Sequence, residues 1–337
     1  MRTSKWRWLI LAVALMGVSL VASACGSAQP SGSSSGSQAP AKKVTIGFAN
    51  MADSIPFCQT VKSGVDQAAK AMGWSTVDVD NNLSGSTAVQ NTSTLISRGV
   101  NFVIMYNIDA ATQPAIAKML KSAKIPGIAF DIYMPGFPFF GVNNNAVGNM
   151  GGKYLADYAK KNWGREPDLF VVLDNPMGGL YAKERSDGTE QGFLKVFPDF
   201  PASNIVRVTA GADVLTGKQA MSSVLTAHPS AKYIVVSGIN DQLCNGGWAA
   251  IKQANRGKYA EVCSQGADSS FLAHLKATKG KDGWNAGVAY TPEDYGKAVM
   301  PIVQRMLNGE QVPQESYVQS FVVDASTVAK HYPAYAW

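Results

Sequence analysis

From residue 44 onward the chain alternates short apolar runs with amphipathic stretches of helical length, and few folds accommodate that alternation. Strands that regularly give way to helices build a parallel sheet covered by helices on both faces. Residues 44–49 read as the first strand, and Val61, Val65, Ala68, Ala69 and Met72 then fall on one face of a helix. Strands follow at 77–79, 102–106 and 127–130, with helices at 87–98 and 112–123 between them.

The second half repeats the plan. Strands are expected at 169–173, 205–208, 233–236, 261–263 and 287–289, with helices at 148–162, 180–196, 218–227, 243–254, 271–276 and 294–307. The halves also match locally: Leu95-Ile96 leads to a strand and then Asn107 and Asp109, while Val224-Leu225 leads through His228-Pro229 to a strand and then Asn240 and Asp241. The sequence therefore predicts an α/β protein of two similar doubly wound parallel-sheet domains. In such sheets ligands bind beyond the carboxyl ends of the strands.

The N-terminus predicts export. Arg2, Lys5 and Arg7 precede an uncharged apolar stretch over residues 8–21, too short to span a bilayer and fit for the core of a signal peptide. It ends in Ala22-Ser23-Ala24-Cys25, which reads as a cleavage site and also as a lipobox whose Cys25 becomes lipidated. Residues 1–24 are the expected signal peptide. Residues 26–43, mostly Gly, Ser, Ala, Pro and Gln, have the composition of a flexible tether, with an r.m.s. reach of about 23 Å. Cleavage removes three positive charges, so the formal charge of +6 becomes +3. Without a basic stripe, that charge gives no reason to expect a nucleic-acid partner.

Three cysteines remain after Cys25: Cys58, Cys244 and Cys263. An oxidising compartment and an odd count invite one disulfide. Cys244 opens the helix after one strand and Cys263 lies in the next, so a Cys244–Cys263 bridge is expected, with Cys58 free.

The residues just after the strands are rich in amides and carboxylates, with a few aromatics: 51–57, Asn107, Asp131, 143–145, 174–179, Asn240-Asp241, Asp268 and Tyr290. Such side chains suit a polyhydroxylated ligand, since each bridges neighbouring hydroxyls while an aromatic face packs on the C–H face of a sugar ring. Asn and Asp after a strand also cap the following helix. Carboxylates with Arg185 as the nearby cation disfavour an anionic ligand; a neutral monosaccharide or polyol is expected, with a small nitrogen-containing polar solute as the alternative.

Over nearly the whole body the chain resembles the periplasmic sugar-binding proteins of ribose- and galactose-binding type. The likeness lies in Ile46-Gly47, Pro56-Phe57, the run Ile125-Pro126-Gly127-Ile128-Ala129-Phe130-Asp131, Lys183-Glu184-Arg185 with Gly192-Phe193, Leu225 to Pro229, and Asn240-Asp241. The resemblance implies a type I periplasmic-binding-protein fold whose two domains, 44–144 plus 291–319 and 145–290 plus 320–337, are joined by a three-segment hinge. It implies a monomeric, lipid-anchored ligand trap on the outer face of the cytoplasmic membrane or in the periplasm, serving an ABC-type permease. It also implies site roles: Phe57 as the stacking ring, Asn107 as the amide after the third strand, Asp131 as the orienting carboxylate, Arg185 as the arginine with paired hydrogen bonds. Asn240 and Asp268 follow as the second domain's amide and carboxylate, and Tyr290 as the polar residue before the last crossover; Asn143 belongs to the same candidate set.

Departures are visible as well. Cys58 stands where ribose binders show a second Phe, Ser54-Ile55 where they show Asn-Asn, and Ile132 where they show Arg. These changes argue against ribose itself. The stretch 134–140, Met-Pro-Gly-Phe-Pro-Phe-Phe, either brings aromatics to the cleft or forms a Pro-Gly turn on the surface.

No catalytic constellation competes with this reading. His228, His274 and His331 lack metal-ligand spacing, and neither a phosphate loop nor G-x-S-x-G nor G-x-G-x-x-G occurs. No enzyme activity, cofactor or metal is expected. A repressor would carry a DNA-binding domain where this chain has a signal peptide and tether. A ligand-binding sensor that presents a sugar or signal molecule to a membrane receptor shares the pattern and is the alternative function.

Overall fold

The computed structural model describes residues 43–337; the expected signal peptide, Cys25 and nearly all of the expected tether lie outside the described residues. Strands β1 (Thr45–Asn50), β2 (Ser75–Asp80), β3 (Phe102–Met105), β4 (Gly127–Phe130) and β5 (Phe139–Gly141) alternate with helices α1 (Pro56–Ala71), α2 (Gly85–Ser97) and α3 (Gln113–Ser122). The chain continues through α4 (Asn144–Trp163), β6 (Leu169–Asp174), α5 (Leu180–Leu194), β7 (Ile205–Thr209), α6 (Val214–Ala227), β8 (Ile234–Gly238) and α7 (Asp241–Gln253). It closes with β9 (Ala260–Gly266), α8 (Ser269–Thr278), β10 (Trp284–Ala289), α9 (Tyr295–Leu307), β11 (Glu315–Tyr317), β12 (Phe321–Val323) and the short α10 (Val328–His331).

The strands form two six-stranded sheets, ordered β11-β5-β4-β3-β1-β2 and β12-β10-β9-β8-β6-β7. Strand for strand the core orders are the same, β2-β1-β3-β4-β5 against β7-β6-β8-β9-β10, so the internal duplication read from the sequence is a duplication of topology. Every pairing is parallel except β10 with β12. Central strands such as β3, β4 and β8 are buried along their length, because helices cover both faces and leave no solvent side. Edge strands β2 and β7 are only partly buried.

Alternation along the strands sorts the core. Phe48, Ile104 and Phe130 face α1 and α9, while Ala49, Val103 and Met105 face α2 and α3. In the second sheet Phe170, Val172 and Cys263 face α4 and α5, whereas Val171, Val236 and Val262 face α6, α7 and α8. Side chains cap five of the ten α-helix starts among the described residues, as the residue types predict: Ser84, Asn143, Asp213, Asn240 and Asp268 each accept from a backbone N–H two or three residues into the helix.

Helices α4 and α5 cross at backbone contact. A Cβ at Gly148 would stand 2.1 Å from Arg185 O, and one at Gly192 2.1 Å from Asn149 O, so only glycine permits the approach that fixes where α5 presents Arg185. The chain passes between the sheets three times, after β5, after β10 and between β11 and β12.

The 134–140 stretch does not reach the cleft. Phe139 and Phe140 form β5, Phe140 packs on Phe130 and Tyr295, and Gly136 takes the positive φ of a turn. The three-residue strands β5, β11 and β12 are additions to the elements expected from the sequence. Among the described residues no helix is long and apolar enough to cross a membrane.

Candidate functional site

The carboxyl ends of both sheets open onto one narrow cleft with about 50 Å³ of free interior volume. From the first lobe, Pro56 starts α1 and sets Phe57 in its first turn, where the ring meets Tyr290 edge-on at 6.1 Å and Tyr295 at 5.8 Å. Asp131 follows β4 with a φ of 54°, a left-handed conformation that turns its carboxylate inward. A Cβ at Gly141 would lie 2.2 Å from Asp131 Oδ1, so the glycine leaves room for the carboxylate. The Tyr295 hydroxyl donates to Oδ1 at 3.0 Å, and Tyr106 and the Val142 N–H also serve this group. Burial pushes the Asp131 carboxyl above the ordinary range, while the charge of Arg185 and these donors pull it back.

From the second lobe, Arg185 is buried with its guanidinium fixed on three sides. Nε and Nη2 donate to Asn144 Oδ1 at 3.2 and 2.7 Å, and Nη1 donates to Ile239 O at 2.6 Å. The group also lies 5.2 Å from the Tyr181 ring centroid and 5.0 Å from that of Tyr290. Arginine supplies five N–H donors, so two remain for a ligand. The Tyr181 hydroxyl is pushed up to about 12 by burial, against the pull of Arg185. Tyr290 donates to Gln265 Oε1 at 2.6 Å, and Gln242 donates to Asp268 Oδ2 at 2.9 Å. Asp241 is raised by burial and by the nearby Asp268 charge, and it accepts from Ser264 and from Asp268 N.

Of the residues singled out in the sequence, Phe57, Asp131, Arg185, Asn240 and Tyr290 line this cleft. Asn240 does so with both arms engaged, accepting from Leu243 N and donating to Ala212 O. The other three lie elsewhere because turn chemistry claims them. Asn107 is buried, donating to Asp109 O and Thr112 Oγ1, and Asn143 is exposed as the cap of α4. Asp268 caps α8 and stands behind Gln242. Tyr106, Tyr181, Asp241, Gln242 and Gln265 also line the cleft and were not assigned to the site. Asp241 stands among the strand-end residues of the sequence. Tyr106 falls at the end of the strand read over 102–106 and Tyr181 inside the helix read over 180–196, and neither position gives a separate signal for the site.

The expected Cys244–Cys263 bridge is not formed. Both are free buried thiols, as is Cys58, which lines the cleft. Cys244 belongs to the core facing α6 and α7, and Cys263 points to the opposite face toward α4, so the sheet separates the sulfurs. Cys244 Sγ instead approaches Cys263 O at 3.8 Å. Among the described residues no group of three or more His, Cys, Asp or Glu side chains is arranged to hold a metal ion.

The periplasmic binding protein domain family matches residues 46–311 of this chain. The chain belongs to that family. The ribose import binding protein of Salmonella typhimurium is 27% identical over 258 residues, covering 76% of this chain and 82% of the relative. The D-apiose import binding protein of Paraburkholderia graminis is 25% identical over 218 residues, covering 64% and 66%. Among solved structures, an ABC transporter solute-binding protein from Mycobacterium smegmatis with bound glycerol superposes with a TM-score of 0.73 at 22% identity, over 86% of this chain and 96% of that one. The ribose- and galactose-type resemblance agrees with these relatives, and the fold is that of a type I periplasmic binding protein. Its relatives are binding proteins that work outside the cytoplasm, and this chain is a binding protein, not an enzyme.

Proposed function

We propose that the protein is the extracytoplasmic solute-binding component of an ABC importer. It captures a small polyhydroxylated ligand, a monosaccharide or polyol, by closing its two lobes about the three crossings between the sheets. Cys25 carries the lipid that anchors it to the membrane. Asp131 and Arg185 carry the reading: one from each lobe, both buried in the cleft, with hydrogen-bonding capacity beyond what the protein uses. An acceptor and a donor facing one space suit hydroxyls, which offer both a proton and lone pairs. Phe57 supplies an aromatic surface beside them, and Tyr181, Gln242 and Tyr290 complete the polar side. The names of the relatives, import binding proteins for ribose and D-apiose, support the same class. A thermal-shift screen over sugars, polyols, amino acids and nucleosides tests it. A sugar or polyol at 100 times its Kd stabilises the protein by about 2.7 kcal/mol. A response confined to amino acids or nucleosides defeats the proposal.

A further inference from the structure

The wall that the first lobe turns to the cleft is apolar. Met51, Ile55, Phe57, Cys58 and Ile108 form it, each buried, and Asp131 is its one carboxylate. The Tyr106 hydroxyl beside them serves Asp131. On the second lobe several polar side chains are already engaged with the protein. Asn240 bonds Ala212 and Leu243, the Asp241 oxygens accept from Ser264 and Asp268, and Gln265 bonds Tyr290 and Val147. The capacity left for a ligand is concentrated in two Arg185 N–H groups, the Tyr181 hydroxyl, Gln242 Oε1 and Asp131.

That capacity falls on one side of the cleft and around Asp131, opposite alkyl and sulfur surface. A fully hydroxylated hexose enclosed here would turn hydroxyls toward Met51, Ile55 and Ile108, where nothing accepts or donates. A hydroxyl buried without a partner loses its water without replacement. A methyl or methylene in the same place gains by leaving water.

We propose that the cleft selects a deoxy sugar, or a polyol with an alkyl edge. Its hydroxyls meet Arg185, Asp131 and Tyr181, and its alkyl edge lies against Met51, Ile55 and Ile108. The proposal rests on the sugar-or-polyol reading above and narrows it.

Calorimetric titration of matched pairs tests it: D-fucose with D-galactose, L-rhamnose with L-mannose, 2-deoxy-D-ribose with D-ribose. In the pair that binds best, the deoxy member binds tighter by about tenfold to a hundredfold. Equal affinity, or a tighter parent sugar, overturns the proposal and leaves the sugar reading standing. Binding by no member of any pair, with an amino acid or nucleoside binding instead, overturns both. Ile108→Asn and Ile55→Asn place an amide in the apolar wall and narrow the preference of the wild type; a ratio unchanged in both folded variants overturns the role given to that wall. Should either variant fail to fold, the wild-type pairs still decide.

Discussion

The Tyr295 hydroxyl lies 3.0 Å from Asp131 Oδ1 and 3.2 Å from Oδ2, although 164 residues separate the two in sequence. Tyr295 is itself buried among Phe57, Phe130 and Phe140, so this donor is held in place by ring packing. A donated hydrogen bond favours the charged carboxylate where burial opposes it. Charge-assisted hydrogen bonds contribute about 1.5 to 3 kcal/mol, against about 0.5 to 1.5 for neutral ones. Asp131→Ala and Arg185→Ala are therefore expected to weaken affinity for the screened ligand by about tenfold to a few hundredfold, and Tyr290→Phe or Tyr295→Phe by about tenfold or less. Titration calorimetry measures all four. A lower melting temperature with unchanged affinity in Arg185→Ala would make that arginine structural only.

A second carboxylate sets a pH dependence far from the cleft. Asp78 on β2 and Asp66 on α1 bring their carboxyl groups together, each burying its Oδ1 atom. Burial, with the Asp66 charge next in weight, pushes the Asp78 carboxyl up from 3.8 to about 6. Between those values the folded state holds a proton that the unfolded chain has released. Stability therefore falls as pH rises from about 4 to about 6, and the loss persists above. Asp78→Asn removes the charge and is expected to raise stability at pH 7 by about 1 kcal/mol, after solvent screening of this partly exposed group. Melting curves of both proteins at pH 7 and pH 4 check the sign: the advantage of the variant should vanish at the lower pH.

The cysteine geometry gives a count. With Cys58, Cys244 and Cys263 all free, denatured and unreduced protein carrying a substitution at Cys25 should titrate three thiols. A count of one would mean that two of these buried sulfurs had found one another despite the sheet between Cys244 and Cys263.

The order of the elements was legible because a buried parallel strand and an amphipathic helix leave different periodicities. The runs around Phe102–Met105 and Leu169–Asp174 could be little else. Three-residue strands leave no period, so Phe139–Gly141 read as part of an insertion. At the site, chemistry was more legible than assignment. Asn107, Asn143 and Asp268 stand after strands like any ligand-facing amide or carboxylate, and only coordinates reveal that each caps or braces its own loop. Tyr181 presents the converse: one helical turn before Arg185, it lies inside an expected helix with no site role and yet turns to the cleft. The Cys244–Cys263 expectation failed on side-chain direction, since neighbouring strand residues point to opposite faces.

The proposed closure can be tested at a glycine. Gly179, between β6 and α5, has φ 62° and ψ −135°, a region that side chains avoid. A Cβ there would stand 2.6 Å from the Cβ of Ala110, which follows β3 in the other lobe. Gly179→Ala thus carries two separable penalties. Backbone strain of about 1 to 3 kcal/mol lowers the melting temperature with or without ligand. The collision with Ala110 opposes only the arrangement in which the two lobes meet here, so under the proposed closure it should weaken ligand affinity by about tenfold or more. Adding Ala110→Gly removes the collision and leaves the strain. The double variant should therefore recover affinity while its ligand-free melting temperature stays low. If it binds no better than Gly179→Ala alone, the contact between these residues plays no part in ligand capture, and strain at position 179 accounts for the whole effect.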